Sequence, residues 1–246
     1  MKANIAFGVL ALLVAWGLAA SAGLVDSFFL PGSLETFQEL GDLLAGGEIG
    51  DDIALTLGRI AAAFSIAAAI GLPAGLALGM QPSLFERLEF LVDFFRSIPA
   101  TALFPLFLLV FGISDSSKIA VAAFSSALII LFNTAYGVRH AKKARLQAAR
   151  LMGANRRQLT SIIFWESLPQ TLVGMRTAVS LSIIVIVVTE MFIGTSAGIG
   201  RLIVDFQYVY NVPGMYAAIF LAGVIGYLAN LAFALLEKRV VHWAGR

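Results

Sequence analysis

At 246 residues, 59% of them hydrophobic and only 13% charged, with a mean hydropathy of +0.90, the chain lies far from soluble globular composition and reads as an integral membrane protein. Its formal net charge of +2 is too small to point to nucleic acid, and the absence of cysteine excludes a disulfide framework or a thiolate metal site. The two histidines, His140 and His242, both fall in basic segments, so no metal centre is expected.

Residues 5–24 form an apolar run behind Lys2, long enough for one crossing at about 20 residues. Ala20-Ser21-Ala22 has the small-residue look of a signal-peptide cleavage site. The run exceeds a usual signal core, so a retained first helix is expected instead. Residues 26–52 then hold seven acidic residues and no basic one, which places this stretch outside. Leu34, Phe37, Leu40 and Leu44 fall at helical spacing within it, predicting an amphipathic helix over 31–44 along the outer interface.

Residues 55–80 are the second span, with Pro73 as a probable kink site and Gly71, Gly75 and Gly79 at the four-residue interval that lets helices approach closely. That stripe serves equally well for packing within the chain or for a seam between two copies. Residues 81–97 carry Leu84, Leu88, Leu91 and Phe95 on one stripe, with Glu86, Arg87, Glu89, Asp93 and Arg96 elsewhere, a surface helix by pattern. Residues 98–111 are short for a span and contain Pro99 and Pro105; 112–117 form a polar outer turn, and 119–138 return inward.

The next stretch, 139–158, holds Arg139, Lys142, Lys143, Arg145, Arg150, Arg156 and Arg157 with no acid between two apolar segments, which sets it in the cytoplasm. Strong helix formers over 142–152 and Gly153 as a stop predict a short helix there. Ala148 and Ala149 leave one patch of it bare. Charge alone would be met by contact with anionic lipid, but that explains neither the alanine pair nor Gly153. The fifth span, 172–193, carries Arg176, Thr177, Ser180, Ser182, Thr189 and Glu190; 195–213 is an outer segment with Arg201, Asp205, Phe206, Tyr208 and Tyr210; 215–236 is the sixth span and 237–246 a basic tail. Six spans with both termini inside follow, with Lys118 and Arg201 as the basic residues left outside. No internal repeat or linker divides residues 1–246, so a single membrane domain is the economical reading.

The order Gln147-Ala148-Ala149, Gly153-Ala154, Ile163 and Leu168-Pro169 resembles the cytoplasmic coupling loop of ATP-binding-cassette importer permeases. Gly174-Met175-Arg176, Glu190-Met191, Ser196-Ala197-Gly198-Ile199-Gly200 and Leu236-Glu237-Lys238-Arg239 extend the likeness to the nitrate, sulfonate and taurine branch over most of the chain. Gln147 stands where that family usually has Glu, and Glu166 where a first proline is common. The resemblance implies an all-α membrane protein of the type I importer permease fold in the inner membrane, with a coupling loop at about 139–169. It further implies a second permease copy, two separate ATPase subunits that hold ATP and Mg, and an external binding protein. Gln147, Ala148, Ala149, Arg150, Gly153, Ala154, Asn155, Arg156 and Arg157 would then dock the ATPase.

The chain has no P-loop, nucleophile elbow or metal cluster of its own. A channel or secondary transporter working without ATP is the competing class, yet inverted repeats and paired intramembrane acids are missing from the sequence. Pathway candidates are Arg59, Thr177, Ser180, Ser182, Thr189 and Glu190, although span hydroxyls commonly bond to their own helix instead. From their depths in the second and fifth spans, Arg59 and Glu190 are expected to pair near the outer gate. The alternative is that Arg59 reaches to headgroups while Glu190 meets water.

Overall fold

The computed structural model describes residues 2–241 except 24, 27, 48, 193 and 194. His242, the last residues of the tail and the expected end of the fifth span at 193 lie outside the described residues. The helices run α1 (Lys2–Ser21), α2 (Ser33–Gly46), α3 (Gly50–Gly79), α4 (Pro82–Ser97), α5 (Phe104–Phe111), α6 (Asp115–Arg139), α7 (Lys143–Leu151), α8 (Arg156–Glu190), α9 (Ile199–Tyr208) and α10 (Val212–Val240), with a 3-10 turn at Ala100–Leu103. Among the described residues there is no strand. Among the described residues four helices, α3, α6, α8 and α10, are long and apolar enough to cross a membrane. A fifth crossing would be the pair formed by α4 and 100–111, bent by 86°. The bend starts at Ile98, which precedes Pro99 and is extended at ψ 125°, because a residue before proline is pushed out of the helical region.

The chain divides into two compact units. One comprises Met1–Thr56 and Glu190–Val224. In it Trp16 lies between Phe37 and Tyr216, with ring centroids 6.4 and 5.9 Å away, and Phe37 meets Phe220 edge-on at 5.0 Å. The Trp16 indole N–H donates to the Pro31 carbonyl at 3.0 Å, and the Asn211 amide donates to Glu39 at 2.8 Å. The segment after 195, read from the sequence only as an outer segment, is helical over much of its length. It contains α9, with Ile199, Ile203 and Val204 buried and Arg201 paired to Asp205 one turn on, at 2.7 Å.

The other unit comprises Leu57–Thr189 and Ile225–Arg246. Its core gathers Ile60, Ala63, Phe104, Val121, Ala122, Val179 and Ile186, with Phe64 against Phe233 at its margin. The glycine stripe of α3 packs on α6 inside this unit, which places it within the chain. A Cβ on Gly71 would lie 2.8 Å from the Ala127 carbonyl, one on Gly75 2.6 Å from that of Leu131, and one on Gly79 2.8 Å from that of Ala135. Backbone therefore meets backbone over two turns, which only glycine permits. The fifth span is the far part of a single 35-residue helix that starts at Arg156 and runs through Pro169. The proline removes one amide and the helix continues through it, with the Ser167 and Thr171 hydroxyls donating to the Phe164 and Ser167 carbonyls nearby.

Candidate functional site

The helix expected in the basic stretch is α7, and its end is closed by a Schellman pair. The Ala154 N–H donates to the Ala149 carbonyl at 2.9 Å and the Gly153 N–H to the Arg150 carbonyl at 3.0 Å. Gly153 sits at φ +82°, where a side chain is strained, so glycine is what lets the chain reverse here. Three residues on, Arg156 starts α8. Asn155 and Gln158 cap it reciprocally, Oδ1 of Asn155 accepting the Gln158 N–H at 2.9 Å and Oε1 of Gln158 accepting the Asn155 N–H at 2.8 Å. Two caps back to back leave the turn between α7 and α8 no freedom to change its angle cheaply.

Glu166, the residue in place of a common proline, forms an ion pair with Arg145. It ties the first turn of α7 to the third turn of α8. The docking candidates then sit on one short platform: Gln147, Ala148, Arg150, Gly153, Asn155, Arg156 and Arg157 are exposed, and Ala149 and Ala154 are half-buried. Beyond the alanine pair, Leu151 is 90% and Met152 87% exposed, more than any other hydrophobic side chain in this loop.

The span candidates divide differently. Ser182 and Thr189 are fully buried; the Ser182 hydroxyl is 2.8 Å from that of Ser126, and Thr189 donates to the Ile186 carbonyl at 2.9 Å. Thr177 is exposed and donates to its own helix at Val173, 3.0 Å away. Ser180 is half-buried and shares hydrogen bonds with Asn230 on α10, whose amide donates to it at 2.9 Å. Asn230 lies on α10, in the stretch expected as the sixth span, where the sequence reading singled out no polar partner.

Arg59 is 5% exposed. Its Nη2 and Nε lie 2.9 and 3.0 Å from Oδ1 of Asp115, which also accepts from Lys118 Nζ at 3.1 Å. Lys118 is as buried as Arg59, while Asp115 is half-exposed. Lys118, read as an outer surface charge, thus belongs to this cluster. Asp115 opens α6, where a carboxylate suits the positive end of the helix dipole. The neighbourhood in sequence, an aspartate three residues before a lysine at a span entrance, was the available signal. Replacing Asp115 with alanine removes an acceptor shared by two buried cations and should cost about 1–3 kcal/mol. Asp115→Asn, which retains one oxygen, is expected to fall between it and the parent in a thermal-unfolding series in detergent.

Glu190 is fully buried. Its two oxygens accept the Thr56 hydroxyl at 2.9 and 3.0 Å, and Oε2 accepts the Gly200 N–H at 3.0 Å. Thr56 in turn accepts the Ile199 N–H at 2.9 Å, and Asp52 accepts the Gly198 N–H. The Gly198-Ile199-Gly200 motif is therefore the N-terminus of α9, and the side chains of α3 and Glu190 take up the amides that have no partner within the helix.

These features converge on one class of protein. Residues 67–242 match the family described as binding-protein-dependent transport system inner membrane component. The chain belongs to that family. The permease is 27% identical over 253 residues to the taurine transport system permease protein TauC of Escherichia coli (strain K12), covering 99% of this chain and 91% of that protein. SsuC of the same organism, named for aliphatic sulfonate transport, is 30% identical over 233 residues, 94% of this chain and 88% of its own length. The bicarbonate transport system permease protein CmpB of Synechocystis sp. (strain ATCC 27184 / PCC 6803 / Kazusa) is 28% identical over 246 residues, with 95% and 87% covered. These place the permease in the nitrate, sulfonate and taurine branch of the ATP-binding-cassette importers, as a multi-pass inner-membrane subunit. The fold is that of the type I importer permeases. A structure of the MetNI methionine ABC transporter superposes with a TM-score of 0.67 at 20% identity, covering 78% of this chain and 96% of that one.

Proposed function

We propose that this permease imports a small anion of the sulfonate, taurine, nitrate or bicarbonate type through a pathway formed with a second copy of itself. A separate pair of ATPase subunits, which hold ATP and Mg, drives it, and an external binding protein delivers the solute. Both termini and the α7 loop face the cytoplasm in this reading, as the run of cations over 139–157 favours. The observation that carries it is the platform of α7: a short helix fixed at its end by Gly153, tied to α8 by Arg145 and Glu166, and presenting Ala148, Leu151 and Met152 to solvent. A rigid lever with an unpartnered apolar tip is what force transmission between subunits requires. Rigidity also explains why Gln147 can stand for a glutamate: docking rests on shape and on the apolar tip more than on that one charge.

Coexpression with the cognate ATPase gives the test. Gly153→Val is strained at φ +82°, by roughly 1–2 kcal/mol, yet its Cβ meets nothing within 4 Å, so the bundle should fold. Transport per ATP hydrolysed is expected to drop at least tenfold in reconstituted vesicles. Normal coupling in a folded variant removes the lever role, and failure of the parent permease to capture any ATPase removes the importer assignment.

The pathway is proposed to run along the face of α8 that keeps Thr177 and Ser180 accessible. In this cysteine-free chain, Thr177→Cys should react readily with a small charged thiol reagent in detergent. Ser182→Cys and Thr189→Cys should react only if a transport state uncovers them. Fast labelling of the latter two in the absence of ATP and binding protein would place the pathway elsewhere.

A further inference from the structure

Beside the apolar tip of the platform, and sharing Arg150 and Arg156 with the platform, lies a cavity of about 790 Å³, within the range that holds small ligands. Arg139, Lys143, Arg150 and Arg156 line it together with Leu146 and Ile163, and no carboxylate does. Its walls are the ends of three spanning helices, α3 at Gly79, α6 at Val138 and α8 at Leu159, closed on one side by α7. Arg145 is engaged by Glu166, and Arg139 is held over the Phe85 ring at 4.3 Å with Glu86 3.8 Å away. Among the described residues, Lys143, Arg150 and Arg156 have no ion pair. Like charges gathered around one void repel each other, and an anion seated among them would relieve that cost.

We infer that this cavity binds the phosphate group of an anionic phospholipid, its headgroup among the four cations and the start of an acyl chain against Leu146 and Ile163. The mixed lining decides between a lipid and a soluble anion: apolar walls at the ends of spans suit a molecule that is itself half apolar, and basic pockets between spanning helices on the cytoplasmic side suit acidic headgroups. It also decides against an acidic segment of the ATPase. The exposed tip residue Met152 lines a different groove, with Ala149, Gly153 and Ala154, so the apolar tip that docks lies on another face of the loop, and of the docking residues only Arg150 and Arg156 border the cavity as well. A lipid seated here would brace α7 against α3 and α6 and make coupling sensitive to membrane charge. The placement at the cytoplasmic surface rests on the importer reading above.

The test is native mass spectrometry of the purified full-length permease mixed with equal amounts of phosphatidylglycerol and phosphatidylcholine. Selective retention of phosphatidylglycerol is expected. Arg139→Gln with Lys143→Gln should weaken it about 25-fold, at about fivefold for each cation removed. Lys143 is exposed on α7, so Lys143→Gln alone supplies a fivefold comparison if the double variant is not recovered. Equal retention of both lipids, or a variant that keeps full selectivity, overturns the site. Displacement by millimolar glycerol phosphate reassigns it to a soluble phosphate and overturns the lipid. Displacement by added ATPase hands the cations to that subunit and does the same. Selective lipid retention in a sample that captures no ATPase upholds the site and counts against the importer reading.

Discussion

Replacing Gly75 with valine should abolish accumulation of folded permease in the membrane. The first added carbon would lie 2.6 Å from the Leu131 carbonyl oxygen, 2.7 Å from Cβ of Thr134 and 3.1 Å from Cα of Leu131. Two of those three atoms are backbone, so no rotamer change relieves the clash; α3 and α6 must separate. Overpacking a core usually costs 1–3 kcal/mol, but here the contact recurs at Gly71 and Gly79. Parting the helices at one point forfeits packing along two turns, which brings the loss to the order of total stability. Gly58 is the control on the same helix, because a Cβ there meets nothing within 4 Å. Gly58→Ala should express normally, helped slightly by alanine's helix propensity. A Gly75→Val permease that elutes as a monodisperse peak at parental yield would show that α3 and α6 do not depend on this contact.

The four-residue glycine repeat was legible from sequence, but which neighbour it served was not. The same letters specify a seam within one chain or between two, and only the position of Ala127, Leu131 and Ala135 opposite them resolves the choice. The α7 loop was legible in more detail, because its signals are local: helix formers, a glycine stop at Gly153, and the Asn155 and Gln158 spacing of a reciprocal cap. Where signals are long-range the reading fell short. No helix was read over Ile199–Tyr208, because the groups that cap its first turn, Asp52, Thr56 and Glu190, come from elsewhere in the chain. Arg59 was picked out as a buried charge, but Asp115 was read as part of a polar outer turn and Lys118 as a basic residue left outside; the Asp115 and Lys118 spacing was a local signal, while the approach of Arg59 from α3 was not. Pro169 closes the loop stretch read as 139–169, yet α8 runs straight through it into the spanning part.

Glu190→Leu should unlatch the start of α9 and destabilise the permease by about 3–5 kcal/mol, the usual cost of removing one member of a buried charged network. The leucine leaves the Thr56 hydroxyl and the Gly200 N–H without the carboxylate that accepts them at 2.9 to 3.0 Å. Thr56→Ala removes a different link in the same relay, orphaning the Ile199 N–H, at about 1–3 kcal/mol. Because each residue serves the other, the losses should not add: the double variant is expected to be clearly less damaged than the sum of the singles. Glu190→Gln keeps one accepting oxygen and is expected to lie closest to the parent. Hydrogen exchange at residues 198–202 reads the latch directly, since those amides are protected only while the caps hold. Faster exchange there in Glu190→Leu, with α6 still protected, would locate the damage at α9; unchanged protection of Gly200 would mean that the buried carboxylate does not hold this helix in place.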